Sequence, residues 1–446
     1  MIPSSRTALL EWYRRNRDRS RLLFELINEE AYYSQPIALR HPIVFYEGHL
    51  PGFSFNTFMK RALGARSLDP KLETLFARGI DPDESPGAGG LEPRDHAARW
   101  PSRATVRAFA DEADRQIVEA LPTADFEATD HGLDPWEAAF TMLEHEAMHQ
   151  ETLLYMWHRL PFAQKVAPAG YRPQVAGASP RVDWIDVPDG CVTLGVDRSS
   201  VRFAWDNECP ALSARVESFA IERHDVTNER FLEFVEQGGY RDERWWAPED
   251  WRWIQTEKME HPLFWERHGE RWHWRGMFES IPLPLSWPVY VSMAEASAFA
   301  RWNSARLPTE AEFQRAAYGA PDAERQYPWG TAAPSARTGA FDFDGWDPQP
   351  AGSHPEGASA WGVEDLVGNG WEWTSTPFAP FPGFHAMASY PEYSADFFDG
   401  KHFVMKGASV ATARELIRPT FRNWFRPRYP YVYATFRCVR DTPSKR

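Results

Sequence analysis

Residues 135–160 constrain this chain more than any other stretch. The segment opens on proline, ends before a second proline at position 161 and holds good helix formers between, so it reads as one long helix. At about 100° per residue, Ala138, Met142, His145, His149, Thr152 and Met156 share one face. That face is mostly apolar and turns both imidazoles inward. A lone inward histidine is usually a satisfied core residue. Two within one turn converge on a point, and neutral imidazole is a ligand for zinc, iron or copper. The helix therefore needs neighbours that complete both a core and a metal site.

Three further segments, 5–33, 41–63 and 102–121, have helical character, and four helices in the first 165 residues predict a bundle. The Gly- and Pro-rich stretch 79–90 is expected to be a surface loop. Bundles hold metals between facing helices, so the second helix is the place to seek a third ligand. Phe45, His49 and Phe53 are spaced by four there and put His49 on an apolar stripe, while Pro51 predicts a kink or break. His41, at the start of the same segment, is expected to be exposed.

Charge and cysteine content narrow the setting. The formal charge of -14 over 446 residues, without a lysine or arginine run, argues against nucleic acid or an anionic membrane surface and for a small-molecule substrate. Cys191, Cys209 and Cys438 make no disulfide framework and no Cys-x-x-Cys motif, which fits a reducing cytoplasm. The first 19 residues carry arginines without the apolar core of a signal peptide, and no stretch reaches the roughly 18 apolar residues of a membrane span.

After Pro161 the texture changes. The expected division is a bundle over 1–163, a linker over 164–183 and a second domain over 184–442, giving an α+β protein overall. Strands are expected at Trp184–Val187 and 191–194, and helices at Asn228–Glu236 and 294–304, in a domain that is otherwise mostly loop. Large apolar side chains must hold such irregular backbone together. Trp245, Trp246, Trp251, Trp253, Trp265, Trp272, Trp274, Trp287, Trp302, Trp329, Trp346, Trp361, Trp371, Trp373 and Trp424 crowd this part and are expected to be mostly core.

His145-Glu146-x-x-His149 also matches the zinc-peptidase pattern, with Glu146 as general base. A zinc hydrolase is thus one alternative, and a non-catalytic ligand-binding module with structural histidines is another. Glu151 sits about 200° from His149 on an ideal helix, so the two cannot face one ion. Its side chain is left to orient a ligand or to form a solvated salt bridge.

Longer motifs point further. His145-x-x-x-His149-x-Glu151 with an upstream histidine, Phe219-Ala220-Ile221-Glu222-Arg223-His224-Asp225-Val226-Thr227-Asn228, Arg306-Leu307-Pro308-Thr309-Glu310-Ala311-Glu312, Gly368-Asn369-Gly370-Trp371-Glu372-Trp373-Thr374 and Phe436-Arg437-Cys438 occur in that order. Together they resemble the ergothioneine-synthase family of EgtB type. The resemblance implies a DinB-like four-helix bundle followed by an irregular α+β domain like that of the formylglycine-generating enzyme, a C-type-lectin-like fold. Oxidases of that fold use a cysteine pair for copper, and the single Cys438 near the carboxyl end argues against formylglycine formation here.

The same resemblance implies mononuclear Fe(II) held by His49, His145 and His149. The positions left open serve hercynine (trimethylhistidine), a sulfur or selenium donor, and O2. It also places the active cleft between the two domains. Asn423-Trp424 matches the pair that receives hercynine, and a tryptophan face over a desolvated quaternary ammonium contributes on the order of 2 kcal/mol. Read without the family, Trp424 is a core aromatic and Asn423 a turn residue. Met148 stands where some relatives place a glutamine that touches the imidazole. Phe425 and Tyr429 replace an aspartate and an arginine of relatives that use gamma-glutamylcysteine, which argues against that donor. Arg426 and Arg428 are candidates for a donor carboxylate, or else solvated surface groups. This ending is closer to the branch that uses free cysteine and to selenoneine synthases of SenA type, which take a selenosugar, with a slight lean to selenium. Tyr390, Tyr393 and Tyr46 are the candidate proton donors, and Phe378 and Phe381 a wall of the cleft.

Overall fold

The computed structural model describes residues 5–77, 100–127 and 131–442, and the expected loop 79–90 lies outside them. Two compact units divide the chain: 1–171 together with 388–390, and 172–387 together with 391–446.

The first unit is built on four long helical segments. Helix α1 (Arg6–Glu25) starts at Ser5, whose hydroxyl accepts from the Ala8 amide. Helix α2 (Ile43–Ser54) is buried on every side and runs without interruption into a π-helical segment, Phe55–Ala62. Pro51 therefore does not break the rod. It removes one backbone donor, and the turns that follow widen instead, as Leu63 N donating to Phe58 O shows. A short α3 (Pro70–Leu75) is capped by Asp69, α4 (Arg103–Ala120) by Ser102, and α5 (Pro135–Arg159) by Asp134. Between α1 and α5 the buried amide of Asn16 donates to Leu143 O, Gln150 returns a bond to Asn16 O, and Trp157 Nε1 donates to Leu23 O. These three bonds fix the register of the two helices while Leu9, Trp12, Leu23, Leu143, Leu153 and Leu154 fill the space around them. His41 is half-buried rather than exposed, because its ring stacks on Phe45 at 4.1 Å.

From 166 to 183 the chain forms neither helix nor strand. The second unit then follows, with short strands as expected. Strand β1 (Trp184–Val187) pairs antiparallel with β4 (Phe219–Glu222), which also pairs with β12 (Val439–Asp441). Strands β2 (Gly190–Leu194) and β3 (Leu212–Val216) form a two-stranded ribbon, and β5 (Trp265–His268), β6 (Arg271–Arg275) and β7 (Ser280–Pro282) a three-stranded sheet. The fourth sheet has the order β10 (Asn423–Phe425), β9 (Phe403–Ala408), β8 (Gly370–Pro377), β11 (Ala434–Thr435). At its head the run Gly368-Asn369-Gly370 turns through left-handed backbone at Gly368 and Asn369. A Cβ on Gly368 would meet Ala340 N at 2.6 Å, so only glycine fits there.

Helix α6 (Asn228–Glu236) and helix α8 (Met293–Trp302) lie where sequence places them. Two more, α7 (Pro248–Thr256) and α9 (Glu310–Tyr318), occupy stretches read as loop; α9 opens on a capping box between Thr309 and Glu312. A short α10 (Glu392–Ala395) precedes β9. Of the fifteen tryptophans named above only Trp246, Trp265, Trp274, Trp287, Trp371 and Trp373 are fully buried. The rest are half-buried, since thin sheets and loops cover one face of an indole but not both.

Candidate metal centre

His49 projects from α2, and His145 and His149 from successive turns of α5. One ligand nitrogen from each lies within 4.8 Å of the other two. Geometry favours acceptance of a cation. A carbonyl oxygen only accepts, so the 2.7 Å contact from His49 Nδ1 to Phe76 O makes Nδ1 the protonated nitrogen and leaves Nε2 as a lone pair. That Nε2 is 3.3 Å from His145 Nε2. Two imidazoles side by side on one ion, with bonds of about 2.1 Å, are separated by about the same distance. The Nδ1 atoms of His145 and His149 are buried without a hydrogen-bond partner, so the trio carries polar capacity that the protein itself does not satisfy.

Burial sets the protonation state. It lowers the His49 pKa to about 4, with the nearby His41 acting in the same direction and the Phe76 carbonyl opposing it. It also drives His145 and His149 well below the ordinary histidine value, helped by the other imidazoles around them. All three are thus neutral imidazoles near pH 7. Aromatic neighbours fix their planes: Phe53 stacks on His145 at 3.6 Å and 12°, and Phe45 on His49 at 4.8 Å and 21°. The donor set fits a borderline metal such as iron or zinc, with positions to spare on the ion.

Glu146 faces elsewhere. Its Oε1 accepts from Arg17 Nη1 at 2.7 Å and from Ser20 Oγ at 2.6 Å, both on α1. Arg17 in turn contacts Asp114 on α4, and Tyr13 donates to Asp114 at 2.7 Å. Burial raises the Glu146 pKa while Arg17 holds it down. A carboxylate enclosed in this network is not placed to act as the base of a zinc peptidase. Glu151 is 8% exposed, which removes the solvated salt bridge as its role, and it is not one of the residues grouped as possible metal ligands.

The tyrosines separate. Tyr46 is buried with its ring 5.7 Å from His149. Tyr390 belongs to the first unit, its ring centroid 5.2 Å from Phe53 and 6.1 Å from His145. Tyr393 belongs to the second unit and is stacked on Trp205 at 3.9 Å. Met148 is half-buried on α5 between the two histidines in sequence.

The remaining candidates lie in the second unit. Asn423, Trp424 and Phe425 form β10, paired with β9. The Asn423 side-chain oxygen accepts from the Trp424 amide at 2.9 Å, and the residue lies in a strand rather than in the turn that a reading without the family expects. Trp424 is half-buried, its ring parallel to Phe378 at 4.2 Å and edge-on to Tyr393 at 5.2 Å. Phe378 and Phe381 are 1% and 6% exposed beneath the Arg422 guanidinium, which is itself paired with Glu310 at 2.8 Å. Both rings cover the face of the buried Arg422, and Phe378 lies directly behind Trp424. Phe425 stacks on Tyr429 at 5.2 Å. Arg428 is engaged by Asp250 at 2.9 Å and Glu249 at 2.7 Å, while Arg426 is half-buried.

Sequence reasoning missed the groups that hold these residues: Phe76 behind His49, Arg17 behind Glu146, and Arg61, Glu137 and Thr141 around residues 388–390. Glu137 and Thr141 precede His145 by eight and four on α5, a spacing that puts them on its face and could have drawn attention to them.

Comparison with known proteins agrees with this architecture. The DinB superfamily pattern matches residues 13–153, and the sulfatase-modifying factor enzyme 1-like domain matches residues 173–442. A hercynine oxygenase of Mycolicibacterium smegmatis is 39% identical over 335 residues, covering 72% of this chain and 75% of its own. One from Mycolicibacterium thermoresistibile is 36% identical over 386 residues, covering 84% and 81%. Ergothioneine biosynthesis protein 1 of Schizosaccharomyces pombe is 28% identical over 448 residues, covering 94% of this chain and 54% of the yeast protein. By the extent of these matches, the chain belongs to the family of hercynine oxygenases and ergothioneine biosynthesis protein 1, with a DinB-type bundle ahead of a sulfatase-modifying-factor-type domain.

Proposed function

We propose that this protein is a nonheme Fe(II) and O2-dependent synthase that joins sulfur or selenium to C2 of the hercynine imidazole. The product is a sulfoxide or selenoxide on the way to ergothioneine or selenoneine. The observation that carries the reading is the convergence of His49, His145 and His149 in a chain whose relatives are named hercynine oxygenases. A ferrous ion held by these imidazoles supplies open coordination positions and redox chemistry. The overall change balances: hercynine C2–H, a donor S–H or Se–H and O2 give the C–S(O) or C–Se(O) bond and one water.

The chain's own residues have distinct tasks. Neutral imidazoles hold the metal without cancelling its charge, and Phe45 and Phe53 keep their planes fixed. Trp424, stiffened by Phe378, offers a ring face to the trimethylammonium group. Tyr390, beside His145, is the candidate to hold and move a proton at its phenol oxygen. On the donor side Arg428 is already paired with two carboxylates, while the half-buried Phe425 stacks on Tyr429, which is buried. With that arginine engaged, an uncharged sugar suits this region better than a dipeptide, which supports the lean to a selenosugar, with cysteine as the alternative. Three cysteines without a disulfide among them support a reducing cytoplasm, and no described helix is long and apolar enough to cross a membrane.

The test is anaerobic loading with iron(II) and hercynine, then air with cysteine, gamma-glutamylcysteine, a thiosugar or a selenosugar, read by mass spectrometry. Adduct mass with the selenosugar or cysteine, absent without O2, is expected. Hercynine left intact with every donor while iron is bound would sink the proposal, and oxygen-independent peptide cleavage would revive the hydrolase.

A further inference from the structure

Residues 388–390 are far from the bundle in sequence yet belong to its unit, and a specific set of bonds holds them. Arg61 donates from Nη1 to the Ser389 carbonyl and from Nη2 to the Ala388 carbonyl, both at 2.6 Å. The Ser389 amide donates to Glu137 Oε1 at 2.9 Å, and the Thr141 hydroxyl to Ser389 Oγ at 2.8 Å. Ser389 and Thr141 are both fully enclosed.

The placement of these groups is what gives them meaning. Glu137, Thr141, His145 and His149 recur at intervals of four along α5, so the turns that grip Ser389 lead directly into the turns that present the imidazoles. Arg61 lies in the last turn of the π-helical extension of α2, the rod that carries His49 and Phe53. Both histidine-bearing helices thus hold the strand of chain that ends in Tyr390. Arg61 suits the task because its planar fork directs two fixed donors at two successive carbonyls.

We infer that Arg61, Glu137 and Thr141 are positioning residues: by gripping Ala388 and Ser389 on the two histidine helices, they set the Tyr390 ring against Phe53 and His145 for the reaction. They act through Tyr390, and their catalytic effect rests on the function proposed above.

The test uses the full chain carrying Arg61→Ala or Thr141→Val, with Thr141→Ser as the conservative control. Arg61 is exposed and Thr141→Val is close to isosteric, so both variants are expected to fold. In metal-free protein, 3-fluorotyrosine at position 390 is expected to give a fluorine resonance displaced by the neighbouring rings. Both disruptive variants should return that resonance toward the unfolded value, and Thr141→Ser should keep it. In the iron-loaded enzyme the same variants should lower kcat about 10- to 100-fold, with hercynine KM and iron content as in the wild type, and should cause no further loss in a Tyr390→Phe background. An unmoved resonance, wild-type kcat in both variants, or losses that multiply with Tyr390→Phe would each overturn the inference. If the wild type turns over no donor, the functional proposal fails, and the metal-free resonance alone decides whether these residues hold Tyr390 in place.

Discussion

At position 146 the helix that presents two imidazoles turns a carboxylate the other way, into Arg17 and Ser20. That single contact separates two chemistries that share the pattern His-Glu-x-x-His. In a zinc hydrolase Glu146→Gln would abolish turnover through loss of the base. Here the same change leaves Arg17 buried with Asp114 as its remaining carboxylate, and removal of one partner of a buried pair costs about 3 kcal/mol. The expected outcome is a chain about that much less stable in urea unfolding, with its bound iron unchanged; loss of iron at unaltered stability would place Glu146 at the metal instead. The histidines themselves were legible, because i and i+4 spacing on an apolar face is a local signal. Arg17 was not, since its partner lies 129 positions away and nothing in the local pattern marks it.

Helix α2 shows how packing sets an imidazole. A Cβ on Gly48 would come within 2.5 Å of the Phe76 ring, and the carbonyl of Phe76 is what orients His49. Phe76 has little room to retreat, being packed against Phe45, Trp100 and Phe109. Gly48→Ala gains about 1 kcal/mol of helix propensity, yet overpacking costs about 1–3 kcal/mol, so steric loss should win. A lower thermal midpoint and iron affinity reduced about tenfold are expected, measured by thermal unfolding and anaerobic iron titration. A stabilised variant with full affinity would show that Phe76 moves freely. Elements with strong punctuation were readable: α5 between prolines, and α6 and β1 at their observed limits. Helix α7 hides among aromatic residues, and the capping box that opens α9 lies inside a longer motif. Pro51 misleads in the other direction, because the rod absorbs it and continues through widened turns.

On the scale of the whole molecule, each unit has its own core, and residues 388–390 are the part of the later chain that joins the first. This excursion could not be read from sequence, because three residues with no periodicity of their own owe their place to Arg61, Glu137 and Thr141. The order of fold types was readable, since each half carries its own motifs. If the trio holds iron as proposed, binding ties the chain's stability to its chemistry. With free iron(II) at 100 times its Kd, anaerobic urea unfolding should show a gain of about 2.7 kcal/mol over the metal-free protein, and no gain would mean that the trio does not bind iron in the folded state. The most direct test of the centre is the iron content of wild type and His49→Ala after the same anaerobic loading and desalting. One iron per wild-type chain and loss of most of it in the variant are expected; equal iron in the two would show that His49 is not a ligand.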